Sequence, residues 1–335
     1  MLLVAPVDQA VRQQLTDELS RVESLFVQEL HSPLACVNRL VAHVERYRGK
    51  RLRPLLVLVA GMASSRDGAT LTQAHRILAT VVEMVHMATL VHDDILDEAD
   101  VRRGGATVNS LRGNETAVML GDYMISHAYH LCSSIDDQTI ARTVANTTNV
   151  VCEGELLQLA NRENWELDED VYFQIIDRKT ASLCGTCCKL AAQLNDQGDD
   201  VQQALDQYGR NLGVAFQIID DILDLTGDEN TVGKSTGRDL TKGKLTLPLI
   251  HYRTHAPATQ CMAFIEMLKQ QANDNDDAIG NQIQKLLTDF GSVQFASLRA
   301  AELIMQAQQA LLVLPESPAR KLLHEMAQAV LTRQF

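Results

Sequence analysis

The chain is poor in the residues that build sheets and turns. Its 335 residues include only 18 glycines and 7 prolines, and aromatic side chains make up 4% of them. Alternating runs of β-branched residues are rare, whereas alanine, leucine, glutamine and glutamate are plentiful, and these residues favour helices. The scarcity of strand patterns excludes a β-rich fold. The composition predicts an all-α protein with one large domain or two ordinary ones.

Positive charge and long apolar runs are also scarce. With 30 Lys and Arg against 43 Asp and Glu, the net charge is −13, which excludes a general nucleic-acid-binding protein because such proteins need a positive surface. The longest apolar run, residues 77–90, is interrupted by Glu83 and His86 and falls short of the ~18 residues of a membrane span. The N-terminal stretch lacks the basic lead of a signal sequence. These absences predict a cytoplasmic protein with no transmembrane segment.

The seven cysteines give no sign of a disulfide framework. Their number is odd and no secretory segment is present, so we expect reduced thiols. Cys184, Cys187 and Cys188 lie close together, but no second Cys or His pair follows at zinc-finger spacing. We interpret them as small core-facing residues on a helix.

Helical periodicity begins near the N-terminus, where Val11, Leu15, Leu19 and Val22 recur on one face. A helix is expected to start near Pro54, where the missing N–H costs little. Further helices are predicted over roughly residues 70–98, 115–134, 137–161, 168–194 and 200–226, with more towards the C-terminus. Polar stretches at 104–113, 161–168, 227–244 and 271–277 are expected to connect them.

One short string occurs twice, and it is the most informative feature of the sequence. Asp-Asp-Ile-Leu-Asp stands at 93–97 and again at 220–224. On a helix, Asp93 and Asp97 share a face one turn apart, where like charges repel unless a cation joins them. A solvated acidic helix end would explain one such string, but hardly two identical ones. Carboxylate oxygens suit Mg²⁺, which keeps several waters and bridges to substrate phosphates.

Basic residues cluster in two places despite the negative net charge. Arg46, Arg48, Lys50, Arg51 and Arg53 fall within eight residues, and an Arg-Arg pair stands at 102–103. A solvated face or contact with an anionic membrane is the plain alternative. A diphosphate site explains the cluster better, since Lys and Arg donate charge-assisted hydrogen bonds to phosphate oxygens.

The order of these motifs resembles that of the trans-polyprenyl diphosphate synthases, most closely the long-chain members of octaprenyl type. The likeness runs from about residue 40 to the C-terminus. It is carried by Gly-Lys-Arg-Leu-Arg-Pro (49–54), His-Asp-Asp-Ile-Leu-Asp-Glu (92–98), Arg-Arg-Gly (102–104), Gly-Asp-Tyr (121–123), Glu-Gly-Glu (153–155), Lys-Thr-Ala (179–181), Phe-Gln-Ile-Ile-Asp-Asp-Ile-Leu-Asp (216–224) and Gly-Lys-Leu-Thr-Leu-Pro-Leu (243–249). Arg48 departs from the pattern, because the family commonly has a second glycine there, and its bulk is expected to alter the loop slightly.

The resemblance implies an isoprenoid-synthase-type helical bundle around a deep central cavity, formed by a single domain over 1–335 and paired as a homodimer. It implies condensation of isopentenyl diphosphate with an allylic diphosphate, which releases pyrophosphate and yields a membrane-seeking product of the kind that forms quinone side chains. Roughly two or three Mg²⁺ ions would serve the reaction.

The resemblance also implies roles for individual residues. Metal ions would be bound by Asp93, Asp97 and Asp220, with Asp221 and Asp224 completing the second motif, and Lys179 would join the first three in catalysis. His86 lies two turns before Asp93 on the same face, which raises the odds that it is more than a packed histidine. Isopentenyl diphosphate would contact Lys50, Arg53, His86 and Arg103, and the allylic diphosphate would contact Arg102, Lys179, Thr180, Gln217, Lys234 and Lys244.

Product length is expected to depend on the helix wall that precedes Asp93. Counting back by turns gives Thr89, Val85 and Val81, with Ala88 beside them. At ~1.5 Å per residue, Ala88 lies about 7 Å and Val81 about 18 Å below the metal. None of these residues is aromatic, so no bulky side chain stops the growing prenyl chain early. The bottom of the product cavity is expected on a helix over 122–133, at Tyr129 or Cys132. The sequence therefore predicts a long all-trans product of octaprenyl length.

Three alternatives remain open. A farnesyl or geranylgeranyl diphosphate synthase would perform the same chemistry with a shorter product. A class I terpene cyclase also uses an aspartate-rich motif on a helical bundle, but usually with a different second metal site, and it would not consume isopentenyl diphosphate. A non-catalytic partner subunit would generally have lost metal aspartates, and both sets are present here.

Overall fold

The computed structural model describes residues 8–46, 49–66, 70–226, 237–274 and 276–332. The chain forms two compact units. The first takes in the chain up to Asn149 together with Leu183–Gly209 and Ala310–Met326. The second takes in Val150–Ser182, Arg210–Gln309 and the chain from Ala327 onward. The single domain over 1–335 stays a prediction.

The described residues are almost wholly helical, which confirms the all-α prediction, and the strands form one small antiparallel hairpin. Up to residue 160 the elements are α1 Gln9–Glu29, α2 Ala35–Glu45, α3 Leu52–Ser64, α4 Gln73–Leu96, β1 Val101–Arg102, β2 Gly105–Ala106, α5 Val108–Arg112, α6 Asn114–Cys132 and α7 Gln138–Ala160. They are followed by α8 Glu169–Ile176, a π-helical segment Asp177–Ala181, α9 Ser182–Gln193, α10 Asp199–Thr226, α11 Arg238–Thr241, α12 Leu247–His255, α13 Ala258–Asp274, α14 Asp277–Asp289, α15 Ser292–Ala310, a 3-10 turn Leu311–Val313 and α16 Pro318–Leu331.

Helix α4 runs through the core of the first unit. By length and composition alone it could cross a membrane, but 67% of its most apolar window is buried inside the structure, as expected of a core helix. Helix α3 packs beside it and is buried from Pro54 to Ser64. It begins at Leu52, so Pro54 is its third residue and still falls in the first turn, where no intrahelical N–H is needed.

Helix α1 covers α4 with the apolar face that its periodicity predicts. Leu15, Leu19 and Val22 are all buried. The same face carries Glu18, whose side chain is only 6% exposed. Its carboxylate accepts hydrogen bonds from Arg76 of α4, at 2.5 Å from Nε and 2.9 Å from Nη2. The ion pair ties the two helices together and satisfies a charge that burial would otherwise penalise.

The cysteine group behaves as the sequence indicates. None of the seven cysteines forms a disulfide. Cys184, Cys187 and Cys188 lie on α9 and are at most 1% exposed. Burial raises the pKa of all three thiols. They are core residues, which confirms their interpretation as packing.

The second unit has an aromatic core around α12. Tyr252 packs against Phe264 of α13 and Phe290 at the end of α14, with ring centroids 4.5 and 4.8 Å apart. Tilted and edge-to-face arrangements of this kind favour contact between the positive edge of one ring and the negative face of another. These three aromatic residues therefore serve the packing of the second unit.

The predicted helices agree with the observed ones to within a few residues, because the 3.6-residue pattern of apolar positions is strong. Several details differ. The polar stretch 104–113 contains strand β2 and helix α5, and the stretch 227–244 contains helix α11. Helix α13 extends into the stretch 271–277, and the predicted helix 168–194 is broken by the π-helical segment. The deep central cavity stays a prediction.

Candidate active site

The end of α4 presents the first aspartate string. Asp97 is the C-terminal cap of the helix, and its N–H still donates to the carbonyl of Asp93 at 2.8 Å. The two residues therefore keep the one-turn spacing that sets both carboxylates on one face. Between them, Asp94 is 2% exposed and accepts a hydrogen bond from Arg102 Nε at 2.7 Å. Asp94 thus anchors the hairpin strand β1 to α4, while Asp93 and Asp97 are half-buried at the surface.

Helix α6 approaches α4 closely at this string. A side chain at Gly121 would collide with the imidazole of His92. His92 Nε2 lies 3.2 Å from the Val118 carbonyl and 3.6 Å from Asp122 Oδ1. The Gly-Asp-Tyr motif therefore holds the helix end from which Asp93 and Asp97 project.

Three arginines of the first unit surround His86. Its pKa lies well below the usual value because of burial and because Arg53, Arg103 and Arg102 repel a further positive charge. A neutral imidazole can accept a hydrogen bond at one nitrogen while donating one from the other. The structure thus groups all three predicted arginines with the predicted histidine, although their roles stay predictions.

The geometry around these arginines suits an anion. Arg103 has a left-handed backbone, with φ of 50°, in the turn of the hairpin, and its guanidinium fills the space that a side chain at Gly49 would need. The Nε of Arg53 is buried and has no hydrogen-bond partner within the described residues. A buried donor of this kind is costly unless a ligand satisfies it. Lys50, next to Gly49, is exposed, whereas Arg51 pairs with Glu23 of α1.

In the second unit, a chain of hydrogen bonds joins α8, α10 and the π-helical segment. The Thr180 hydroxyl donates to Gln217 Oε1 at 3.2 Å, and Gln217 Nε2 donates to Asp221 Oδ1 at 2.8 Å. The other oxygen of Asp221 accepts from the Tyr172 hydroxyl at 2.7 Å. Burial and the nearby carboxylate of Asp239 raise the pKa of Asp221 well above its usual value. Tyr172 and Asp239 were not recognised in the sequence, where neither belongs to the repeated string.

The two aspartate strings use their members in the same way. The second aspartate of each, Asp94 or Asp221, is buried and bonded to protein donors. The first and last of each string are half-buried. Asp224 Oδ2 also accepts a hydrogen bond from the N–H of Asp239 at 3.0 Å. Both oxygens of Asp221 accept hydrogen bonds from side chains, and its part in the metal site stays a prediction.

The π-helical segment carries Lys179 and Thr180. Its wider turn inserts one extra residue into the α-helical path, a feature often found at functional sites. Two helices pass very close to it: a side chain at Gly154 of α7 would meet the backbone of Lys179, and one at Gly213 of α10 would meet Ala181. Lys179 Nζ forms an ion pair with Glu155, also on α7. The glycines are the sequence signal that could have revealed this packing.

A cavity of about 120 Å³ opens beside this segment in the second unit. Five predicted residues line it, namely Lys179, Thr180, Gln217, Asp221 and Lys244, together with Tyr172 and Asp239. Lys244 Nζ lies 4.0 Å from Asp239 Oδ1. Arg48 and Lys234, which the sequence also singled out, lie outside the described residues.

The donor sets fit a divalent cation bound together with a diphosphate. Across the described ranges, no group of three His, Cys, Asp or Glu side chains converges to hold a metal unaided. Mg²⁺ does not need such a cage, because it binds through one or two carboxylates plus phosphate oxygens and water. Asp93 with Asp97, and Asp220 with Asp224, each offer a pair of carboxylates one helical turn apart.

The residues predicted to govern product length lie on α4 below this site. Val81, Val85 and Ala88 are fully buried. Thr89 is half-buried, and its hydroxyl donates to the His86 carbonyl at 2.9 Å. On α6, which packs against α4, Cys132 is buried and Tyr129 half-buried.

Known proteins of one family resemble this chain in sequence and in fold. Residues 35–287 match the family model for polyprenyl synthetases. The chain is 32% identical to an octaprenyl diphosphate synthase of Escherichia coli (strain K12) over 323 residues, which is 96% of this chain and 98% of that protein. The fold matches a decaprenyl diphosphate synthase of Rhodobacter capsulatus with a TM-score of 0.89 at 33% identity, covering 97% of this chain and 99% of that one.

A polyprenyl synthase of Caulobacter crescentus CB15, solved as a complex with calcium and isoprenyl diphosphate, also matches with a TM-score of 0.89. Its identity is 29%, and 97% of each chain is covered. These matches confirm the resemblance seen in the motifs and the isoprenoid-synthase type of fold. The chain belongs to the trans-polyprenyl diphosphate synthase family, and it is a prenyltransferase that elongates prenyl chains.

Proposed function

We propose that this prenyltransferase condenses isopentenyl diphosphate with an allylic diphosphate in a Mg²⁺-dependent reaction and that its main product is all-trans octaprenyl diphosphate. The observation that carries the chain length is the wall of α4, where Val81, Val85 and Ala88 are buried and none is aromatic. The octaprenyl name of the Escherichia coli relative supports the same length, whereas the Rhodobacter capsulatus structure is named for a longer product.

The second unit binds the allylic diphosphate. Lys179, Thr180, Gln217 and Lys244, which line its cavity, contact the phosphate oxygens. The family motifs assign Arg102 and Lys234 to the same substrate. Asp93, Asp97 and Asp220 would hold roughly two or three Mg²⁺ ions, which would supply positive charge for the departing pyrophosphate. Asp224 pairs with Asp220 in the second aspartate string. Asp221 accepts the hydrogen bond that holds Gln217 in place.

The arginine cluster binds isopentenyl diphosphate. Arg53 and Arg103 donate charge-assisted hydrogen bonds, Lys50 adds a third cation, and the neutral His86 adds a polar contact without further charge. The double bond of isopentenyl diphosphate forms a carbon–carbon bond with the allylic carbon as pyrophosphate leaves, and a proton is then lost to the departing pyrophosphate. No side chain becomes covalently attached. The protein supplies orientation, charge neutralisation and exclusion of water from a reactive cation.

The test is product analysis with the purified chain. It is incubated with Mg²⁺, isopentenyl diphosphate and, in turn, each of several allylic primers, and the products are separated by length. We expect consumption of isopentenyl diphosphate and a distribution centred on octaprenyl diphosphate. Products that stop at farnesyl or geranylgeranyl length would contradict the proposed octaprenyl length. Failure to consume isopentenyl diphosphate would favour a cyclase or a partner subunit instead.

The proposal extends to the setting of the reaction. The working form is a homodimer, and the enzyme acts in the cytoplasm and releases a membrane-seeking product. Omission of Mg²⁺, or its removal by a chelator, should abolish turnover and readdition should restore it. Activity that survives chelation would exclude a metal role for the aspartates.

A further inference from the structure

Tyr172 is a buried tyrosine whose hydroxyl points at the second aspartate string. Its side chain lies on α8 and is 3% exposed. The hydroxyl donates to Asp221 Oδ2 at 2.7 Å, and burial beside this carboxylate raises the pKa of the phenol well above its usual value. A carboxylate oxygen only accepts, so the phenol is the donor in this hydrogen bond. No motif in the sequence singles this residue out.

Asp221 is linked by hydrogen bonds to two further residues, Gln217 and Thr180. Its other oxygen accepts from Gln217 Nε2 at 2.8 Å, which turns Gln217 Oε1 towards the Thr180 hydroxyl at 3.2 Å. Each member of the chain thus has a defined direction of donation, and the chain ends at the π-helical segment beside Lys179. Such connected networks fix side-chain rotamers more firmly than isolated bonds do.

Tyr172 and Gln217 are the two side chains that donate to Asp221 among the described residues. With the Tyr172 hydroxyl removed, one oxygen of this buried carboxylate loses its donor. We expect the carboxylate to turn in search of another donor and to release Gln217, and with it Thr180.

We propose that Tyr172 is a positioning residue that holds Asp221, Gln217 and Thr180 in the arrangement that binds the metal–diphosphate group of the allylic substrate. The inference rests on the proposed function, because it takes the allylic diphosphate as the ligand of this cavity. Tyr172 itself does not touch the reacting atoms. It acts through preorganisation, so that the binding residues need not reorder when the ligand arrives.

The chain offers a matched control in Tyr208. This tyrosine is fully buried, and its hydroxyl donates to the Leu323 carbonyl at 2.7 Å within the first unit. Tyr172→Phe and Tyr208→Phe therefore each remove one buried hydroxyl that makes one hydrogen bond of the same length. A general loss of stability should affect both variants alike.

The two variants are compared by calorimetric titration with inorganic pyrophosphate in the presence of Mg²⁺, and by the KM of each substrate. Tyr172→Phe should weaken pyrophosphate binding and raise the KM for the allylic substrate by about tenfold, as expected for loss of a hydrogen bond to a charged group. The KM for isopentenyl diphosphate should not change. Tyr208→Phe should lower the melting temperature and move neither constant. Equal effects of the two variants on pyrophosphate binding would overturn the proposal.

A double-mutant cycle tests whether Tyr172 acts through Asp221. Asp221→Asn alone should weaken pyrophosphate binding, and adding Tyr172→Phe should then have little further effect, because residues in one network are not additive. Additive losses would overturn the proposal. If Tyr172→Phe fails to fold by circular dichroism, p-aminophenylalanine at this position retains a donor and should restore binding; a folded chain that binds pyrophosphate weakly would count against the idea.

The outcomes separate this inference from the proposed function. Pyrophosphate binding does not require turnover. If the wild-type chain fails to elongate a primer while Tyr172→Phe still weakens Mg²⁺-dependent pyrophosphate binding, the proposed function is wrong and the positioning role stands.

Discussion

The aspartates within each string differ in burial and in the partners that they bind. Asp94 and Asp221 are 2% and 5% exposed and spend their oxygens on protein donors. Asp93, Asp97 and Asp220 are half-buried. The sequence reveals the strings but not this division, because burial of one side chain among identical neighbours depends on which partner reaches it. Arg102 comes from the hairpin and Tyr172 from α8, and neither contact follows from helical spacing.

The outer aspartates are expected to be essential for turnover. Asp93→Ala, Asp97→Ala or Asp220→Ala should lower kcat by about 1000-fold, because preorganised charge at the departing group is lost. The helical circular dichroism should stay intact, since removal of one of two repelling carboxylates does not weaken the apo fold.

Asp94→Asn changes the buried aspartate of the first string and is compared with the three outer-aspartate variants. It breaks a buried ion pair with Arg102, so unfolding by denaturant should show a loss of about 3 kcal/mol. Turnover close to wild type in any of the three outer-aspartate variants would contradict the metal assignment.

The cations should separate the two substrates. Lys50→Ala and Arg53→Ala should raise the KM for isopentenyl diphosphate about tenfold or more, whereas Lys179→Ala should act mainly on the KM for the allylic substrate, because each removes a charge-assisted contact to one diphosphate. Arg46→Ala removes an exposed cation from the same basic stretch and should leave both constants within about twofold of wild type. Equal effects of Lys50→Ala and Lys179→Ala on both substrates would show that the two sites are wrongly assigned.

At the scale of helices and strands, long amphipathic elements are predictable and backbone irregularities are not. The helices over 70–98 and 200–226 follow directly from apolar periodicity and are found at Gln73–Leu96 and Asp199–Thr226. The π-helical segment lies in close contact with α7 at Gly154 and with α10 at Gly213. Such contacts join residues distant in sequence, so no local pattern in 177–181 predicts the extra residue of the π-helical turn.

The wall formed by α4 gives a prediction about product length. Ala88→Phe should shift the products towards farnesyl or geranylgeranyl diphosphate, because an aromatic ring about 7 Å below the metal, five residues down the helix, blocks the growing chain. The first condensations should still consume isopentenyl diphosphate, which distinguishes a blocked path from an inactive enzyme. An unchanged product distribution, measured by chromatography of the products, would show that α4 does not limit elongation.

The ion pair between α1 and α4 gives a prediction about acid stability. Hydrogen bonds from Arg76 lower the pKa of Glu18. Because the pKa of folded Glu18 is below its unfolded value, the pair stabilises the protein fully above the unfolded value and less as the pH falls through the folded value. Glu18→Gln should therefore cost about 2 kcal/mol at neutral pH, and the difference from wild type should shrink below a pH of about 4.

Denaturant unfolding across pH measures the effect. Asp17→Asn is the control, since Asp17 is exposed on the same helix and its carboxylate accepts a hydrogen bond from Gln13. A stability difference for Glu18→Gln that does not vary with pH would contradict the role of the ion pair.

At the scale of the whole molecule, the oligomeric state is the property that the structure of a single chain reveals least. The first unit exposes large apolar side chains on α5 and α6, with Leu111 at 51%, Val118 at 42% and Met119 at 64%. Val118 and Met119 are neighbours in sequence, and exposed apolar patches commonly mark interfaces. We expect sedimentation to give twice the chain mass of 37.0 kDa, and Met119→Lys should shift the protein towards the monomer. A wild-type chain that sediments as a monomer would contradict the homodimer.

The cysteines offer a way to watch the two units during the reaction. Cys36 in the first unit and Cys152 in the second are exposed, Cys261 is half-buried, and the other four are buried. Burial raises the pKa of Cys132 to about 11, which suppresses its thiolate and slows alkylation. A thiol-directed dye or spin label should therefore attach first at Cys36 and Cys152. The unmodified natural sequence can thus carry one probe in each unit, and the distance between the probes would report any domain motion as substrates bind.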